Sequence, residues 1–187
     1  MTLGEGKRKV LKLLDEYSSG GTVNVDEDVN AKMNDFFDIA QKDVAQHKRI
    51  VRSMTMDASD VSEMQFVDLP KDCAAVFRTW RDGKLSWNFA VIGGKLALPA
   101  KTQGSYIVEY FAIPASITEA TADEYEFEVS EDAANCLPYF VAAQHLLPDL
   151  VIDYSSFYNI YLAMRAALDT SLPGAGKGSV RQVLFGG

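Results

Sequence analysis

Cysteine and histidine are scarce in this chain, with two of each in 187 residues. Cys73 and Cys136 are too few and too isolated for a disulfide framework or a zinc site. They read as small buried apolar residues. His47 and His145 come with no G-x-S-x-G elbow, no Cys–His signature and no HExxH helix, so a structural role is expected for both. Carboxylates abound, yet none sits in an apolar context that would mark a general acid. The expectation is a chain that is not an enzyme and takes no cofactor and no metal. A metal-free carboxylate pair is the one catalytic arrangement that this pattern leaves open.

No run of eighteen apolar residues occurs, so no membrane span is expected. The N-terminal MTLGEGKRKVLKLLDEY carries charge throughout, where a signal peptide has an uninterrupted apolar core. Synthesis in a cytosol is expected. A basic excess is missing as well. The formal net charge is −8 and the isoelectric point is near 4.7. That argues against tight duplex binding through a general basic face, though not against a surface past which DNA moves without sticking. A chain of this length buries roughly 70% of its unfolded surface, so its core needs neither disulfide nor metal. One domain, or one domain carrying an insertion, suits the length.

Two local patterns resemble ligand loops and fail on their spacing. GAGKGS at 174–179 lacks the glycine five positions before Gly176-Lys177, where Ser171 stands, and the hydroxyl after it, where Gly178 stands. It also follows a helical pattern, whereas a phosphate-binding loop follows a strand and opens a helix. Asp26-Glu27-Asp28-Val29-Asn30 begins like a calcium loop, but Ala31 replaces the turn glycine and Phe37 the closing acid. These acids suit a helix N-terminus better.

Periodicity orders the chain as helices, strands, helices and a tail. Thr2 and Glu5 have capping-box spacing, and Leu3, Val10, Leu11 and Leu14 form a helical stripe that Ser18-Ser19-Gly20-Gly21 ends. Asn24 and Glu27 offer a second box before Val29, Met33, Phe36, Phe37, Ala40, Val44 and Val51. Asp28–Lys32 and Asp38–Lys42 are acid-first pairs four apart. His47, Lys48, Arg49 and Arg52 suit the C-terminus of this helix, or phosphate contact. From Met64 the period becomes two. AVFRTW (75–80) and LSWNFAVI (85–92) flank the hairpin signal Asp82-Gly83, Gly93-Gly94 makes a second turn, and SYIVEYFAIP (105–114) alternates. Trp80 and Trp87 flank the hairpin turn and could stack a sugar or a base, although cross-strand packing commonly produces such a pair. After an acidic connection, Ala133, Leu137, Phe140, Val141 and Gln144 mark a helix in which Pro138 is tolerable near the start or at a kink. Pro148 ends it. Asp153 caps the last helix, striped by Tyr154, Phe157, Tyr158, Tyr161, Leu162 and Leu168.

The fold class is α+β: a bundle of about four helices, an inserted antiparallel sheet or small sandwich, and an extended C-terminal arm. Residues 1–62 form an N-terminal helical pair, 63–115 the β insertion, 116–170 a C-terminal helical pair, and 171–187 the arm. That arm, SLPGAGKGSVRQVLFGG, holds five of the thirteen glycines and no acid. Glycine loses the most entropy on ordering, yet Val180, Val183, Leu184 and Phe185 are too apolar for an idle solvated tail. Docking onto another protein accounts for both features; folding back on its own domain is the other reading.

The chain resembles the head–tail connector, or adaptor, proteins of tailed double-stranded DNA bacteriophages. The resemblance rests on the early helical pair ending near Arg52, on Tyr110-Phe111-Ala112-Ile113-Pro114 with Ile117-Thr118, and on Phe127-Glu128-Val129. It continues into Leu137-Pro138-Tyr139-Phe140-Val141-Ala142-Ala143. It implies a structural virion protein at the neck, assembled in the host cytoplasm. Such a protein forms a ring of twelve copies beneath the portal protein and meets tail or nozzle proteins below. Genomic DNA passes through the ring without specific binding. It also implies a portal-binding role for the arm, carried to Val180, Arg181, Val183, Leu184 and Phe185. The long strand insertion departs from the smallest members of that group. From a different class comes the alternative, a small ligand-binding module or hydrolase with its site on the β insertion near Trp80 and Trp87.

Overall fold

The first helix begins with a closed capping box. The Thr2 N–H donates to Glu5 Oε2 at 2.9 Å, and the Glu5 N–H donates to Thr2 Oγ1 at 3.2 Å. The structure, a computed structural model, describes residues 1–15, 27–146 and 155–171. Its elements in chain order are α1 (Leu3–Asp15), α2 (Glu27–His47), β1 (Ile50–Ala58), β2 (Gln65–Asp68), β3 (Cys73–Arg81), β4 (Lys84–Ser86), β5 (Ala90–Ile92), β6 (Lys95–Leu98), β7 (Gly104–Ala112), α3 (Glu131–Ala134), α4 (Leu137–Leu146) and α5 (Ser155–Ala166). The class is α+β, with four longer helices and the single turn α3 among the described residues.

Helix α2 stops at His47, not near Arg52 as its stripe suggests. Lys48 donates the last helical hydrogen bond, to the Val44 carbonyl, and the chain enters β1 at Ile50. Val51 fits a helical stripe with Val44, but Ile50-Val51-Arg52-Ser53-Met54-Thr55 also alternates and is rich in β-branched residues. Pairing with β7, in register from Ile50↔Ala112 to Ala58↔Gly104, decides between the two. A local pattern loses here to a partner strand some sixty positions away.

The strands form two antiparallel sheets, one of order β1-β7-β3-β4 and one of order β2-β6-β5. Both predicted turns are present as left-handed pairs: Asp82 (φ 47°) with Gly83 (φ 75°), and Gly93 (φ 58°) with Gly94 (φ 76°). Strand β7 alternates as expected, with Tyr106, Val108 and Tyr110 buried. Residues 85–92 do not form one strand. They split into β4 and β5, which belong to different sheets, so this segment carries the chain from one layer to the other. Leu96 and Leu98 of β6 pack on Tyr106 and Val108 of β7 and on Ala58 of β1, giving a small sandwich with its own core.

The helices enclose a second core, in which α4 packs against α1, α2 and α5. Leu137, Val141, Ala142 and Ala143 of α4 are buried among Leu3, Val10, Phe37, Val44 and Tyr161. The expected helix around 131–146 is broken at Asn135-Cys136 and restarts at Leu137, leaving Pro138 in a first turn where no N–H is needed. Gly6 lies where α1 meets this core: a Cβ there would sit 2.9 Å from Phe37 Cζ and 3.3 Å from Phe127 Cε2.

Residues 113–130, a strap without regular structure, join sheet to helices by lying along α2. Asn34 Nδ2 donates to the Thr118 carbonyl at 2.9 Å, and Asp38 Oδ1 accepts from the Ile117 N–H at 2.9 Å. Fully buried Gln41 donates to the Ala115 carbonyl (3.3 Å) and the Tyr125 hydroxyl (3.1 Å), while its Oε1 accepts from the Glu128 N–H (2.9 Å). Lys42 bridges Asp38 (2.6 Å) and reaches Ser116 Oγ (2.9 Å). From the sheet side, Arg52 clasps Asp72 (2.5 Å) and Glu128 (2.9 Å). Farther along, the strap meets the start of α1, where the Leu3 and Gly4 N–H groups donate to the Tyr125 and Asp123 carbonyls at 2.8 and 2.9 Å. These are helix-terminal donors that need a partner from outside the helix.

Two outcomes follow for stability. Gln41→Leu keeps volume but strands the Glu128 N–H, at about 1–3 kcal/mol for a buried unsatisfied group; calorimetry should read a Tm lower by about 2–4 °C per kcal/mol at this chain size. Gly6→Ala gains about 1 kcal/mol of helix propensity, but its Cβ overpacks the core at about 1–3 kcal/mol. It should lower Tm, and Phe37→Leu should relieve part of that loss in the double variant.

Candidate interaction surfaces

The residues expected to dock on a partner, Val180, Arg181, Val183, Leu184 and Phe185, lie outside the described residues, as do Asn24, Asp153 and Tyr154. The described chain closes at Ser171, just past a fixed root. Leu168 is buried in the helical core, and the Ser171 N–H donates to Asp169 Oδ1 at 2.9 Å. Of the aromatic stripe on α5, Phe157 and Tyr161 are buried while Tyr158 and Leu162 are exposed. The Tyr161 hydroxyl donates to Asp43 of α2. Burial, then this hydrogen bond, push its pKa well above the ordinary phenol range, so it stays a donor throughout the working pH range.

Three members of the cluster His47–Arg52, namely Lys48, Arg49 and Arg52, make internal contacts. Lys48 bridges Asp132 at 2.7 Å, Arg52 holds two carboxylates, and the Arg49 guanidinium lies 5.5 Å from the Phe111 ring centroid. His47 Nε2 is buried without a partner among the described residues. Burial, then Lys32, lower the pKa of His145. Among the described residues, no group of three or more His, Cys, Asp or Glu side chains could hold a metal ion. No helix there is long and apolar enough to cross a membrane.

The two tryptophans have different surroundings. The Trp80 indole N–H donates to Glu109 Oε2 at 3.1 Å, and the Arg78 guanidinium lies 5.2 Å from the Trp80 ring. Arg78 also pairs with Glu109; its hydrogen bond first, and that of Trp80 after it, hold the Glu109 carboxyl below its ordinary pKa. Trp87 is 64% exposed. It belongs to an uncharged run from Leu85 to Gly94 in which Leu85, Val91 and Ile92 are also exposed, and Phe66 of β2 is exposed on the sheet that holds Val91 and Ile92. Exposed apolar side chains of this kind beside a buried sandwich core suit protein contact.

Besides a shallow one at the β3–β4 turn lined by Arg81, Asp82, Lys84, Leu85 and Ser86, the described residues line concavities beside the helices. One of about 350 Å³ lies between α1 and α4, lined by Lys9, Lys12, Leu13, Asn135, Tyr139 and Met164 among others. A second shares Lys9, Lys12 and Asn135 with it and adds Arg8, Glu5 and Glu131. The third, of about 340 Å³, lies where α2 meets the exit of β7, with Lys42, Gln46, Arg49, Ile113 and Pro114 on its walls. The apolar stripe of α1 does not by itself point to the helix's basic residues. Their signal is the placement of Arg8 and Lys12 opposite Leu3, Val10 and Leu14 on the helical wheel.

Comparison with known proteins finds no family model that matches the chain and no curated protein that matches it.

The Lys48–Asp132 bridge gives a pH signature. The hydrogen bond from Lys48, then that from Ser130, hold Asp132 at a pKa of about 2, against about 3.9 in an unfolded chain. A depressed carboxylate stabilises the fold above the unfolded value, and that stability is lost as pH falls through the folded one. Asp132→Asn should therefore lower Tm near neutrality, and the gap from the parent should close as melts are taken from about pH 4 down to about pH 2.

Proposed function

We propose that this chain is a structural virion protein, a head-to-tail adaptor that forms a ring beneath the portal, joins capsid to tail and lines part of the DNA channel. One observation carries the reading. Three of the segments that bear the resemblance form one continuous passage: Tyr110–Pro114 leaves the sheet along β7, Phe127-Glu128-Val129 closes the strap, and Leu137–Ala143 is the central helix of the core. In that passage Glu128 is gripped by Arg52 and Gln41, so sheet and helices are fastened together where the chain crosses between them.

Other features support the same reading. The polar chemistry of the strap and of the His47–Arg52 cluster serves to fasten elements, which suits a mechanical part. Net negative charge suits a conduit, because a basic lumen would condense on phosphate and stall passage. The arm, with Val180, Arg181, Val183, Leu184 and Phe185, is the proposed portal-binding element. A buried side chain of that kind contributes roughly 1.5–3 kcal/mol, and ordering a residue's backbone costs about 1–2 kcal/mol. One arm therefore binds weakly, while a ring of arms binds firmly.

The purified chain mixed with portal-bearing heads should appear in electron micrographs as collars beneath the portal. Deleting residues 174–187 should leave the thermal melt unchanged and abolish those collars. A truncated chain that still attaches at full strength would show that the arm is not the docking element. The isolated chain should show no duplex binding at moderate salt, and tight binding with a steep salt slope would contradict the conduit role.

A further inference from the structure

We infer that the basic groove along α1 receives the acidic strap of a second copy of this chain, so that copies join head to tail through opposite flanks of α1. The inference deepens the adaptor reading and rests on it for the biological use of the contact; its physical basis is separate.

Helix α1 is wedged between two different neighbours. At 100° per residue, Gly4 and Lys7 point to one side, where Gly4 lies against Asp123 and Lys7 bridges Asp123 at 2.8 Å. Lys9 and Leu13 point to the other side, where Lys9 Nζ donates to Asn135 Oδ1 at 2.9 Å and Leu13 borders the groove against α4. Arg8 and Lys12 face outward between them, both exposed. The two concavities share Lys9, Lys12 and Asn135 and so adjoin along α1 as one trough lined by apolar Leu13, Tyr139 and Met164 and by basic Arg8, Lys9 and Lys12. Glu5 and Glu131 also border it, but Glu5 is engaged in the capping box. In a chain of formal charge −8, this is a concentration of positive charge with no phosphate-loop geometry around it.

The complementary surface lies on the far flank. The strap exposes Glu119, Glu124 and Glu126. It is held to α2 by Asn34, Asp38, Gln41 and Lys42 and to α1 by the Leu3 and Gly4 amides. A loop fixed in this way presents its carboxylates with little ordering cost on binding. The same fastening prevents it from swinging across α1 into its own groove, so the acidic partner is a second copy. A contact between two different patches is heterologous and propagates head to tail. Charge complementarity sets its register and its salt sensitivity.

Sedimentation velocity on the full chain tests this with paired charge reversals. The parent should self-associate at low salt and dissociate as salt rises. Arg8→Glu with Lys12→Glu, and separately Glu119→Lys with Glu124→Lys, should each weaken self-association by about tenfold or more. Mixing the two variants should restore association, since the reversed groove of one then meets the reversed strap of the other. All four changes in one chain should also restore it, which guards against loss through misfolding. Self-association that survives either reversal, or reversed pairs that fail to restore it, would overturn this interface while leaving the adaptor reading intact. So would a parent that stays monomeric at low salt yet still forms collars on heads. Reversals that spare self-association but abolish attachment to heads would make the groove's occupant a foreign partner, again overturning the inference. Loss of attachment on removing residues 174–187 bears on the adaptor reading alone.

Discussion

The fold depends on a row of polar side chains along one edge of α2. Asn34, Asp38, Gln41 and Lys42 recur at helical spacing beside the apolar stripe Met33, Phe37, Ala40 and Val44. The stripe builds the helical core, and the polar row holds the strap. Without that row, residues 113–130 would be an irregular segment whose backbone groups have to find partners in a half-buried setting. Gln41 is the extreme case, an uncharged amide with no exposed surface whose two ends are both satisfied by the strap. A buried polar network of this kind fixes one arrangement because any other leaves it unpaired.

The strap in turn sets the relation between the two cores. Arg52 lies in β1, Asp72 just before β3 and Glu128 at the end of the strap, so a single guanidinium joins sheet, turn and connection. The Tyr110 hydroxyl approaches Asp72 at 3.4 Å from the buried side of β7. Burial opposes the Arg52 charge, and the two carboxylates more than offset it. A body built in this way ties sheet to helices by polar contacts between two separate apolar cores. That suits a part placed between two larger assemblies.

Function in this reading lies on outer surfaces. The uncharged run around Trp87, the trough beside α1 and the exposed acids of the strap each offer contact of a distinct kind: apolar, cationic and anionic. Their separation on the molecule permits several neighbours at once, which is what an adaptor requires and a single-pocket protein does not.

Much of this architecture was legible in the chain itself. The capping box at Thr2–Glu5, the alternation of β7, the left-handed turns at Asp82-Gly83 and Gly93-Gly94, and Pro138 in a first helical turn all follow from interactions within a few residues. Local chemistry of that kind is written directly in spacing. What needed the tertiary structure were decisions taken between distant segments. Ile50–Ala58 is a strand only because β7 pairs with it, residues 85–92 divide because two sheets compete for them, and Lys48 and Arg52 are structural because Asp132, Asp72 and Glu128 arrive beside them. The same holds for the surfaces. The sequence determined which residues are basic, acidic or apolar, but only packing decided that α1 carries a cationic trough on one flank and an acidic strap on the other, because long-range contacts choose which side of a helix is left to solvent.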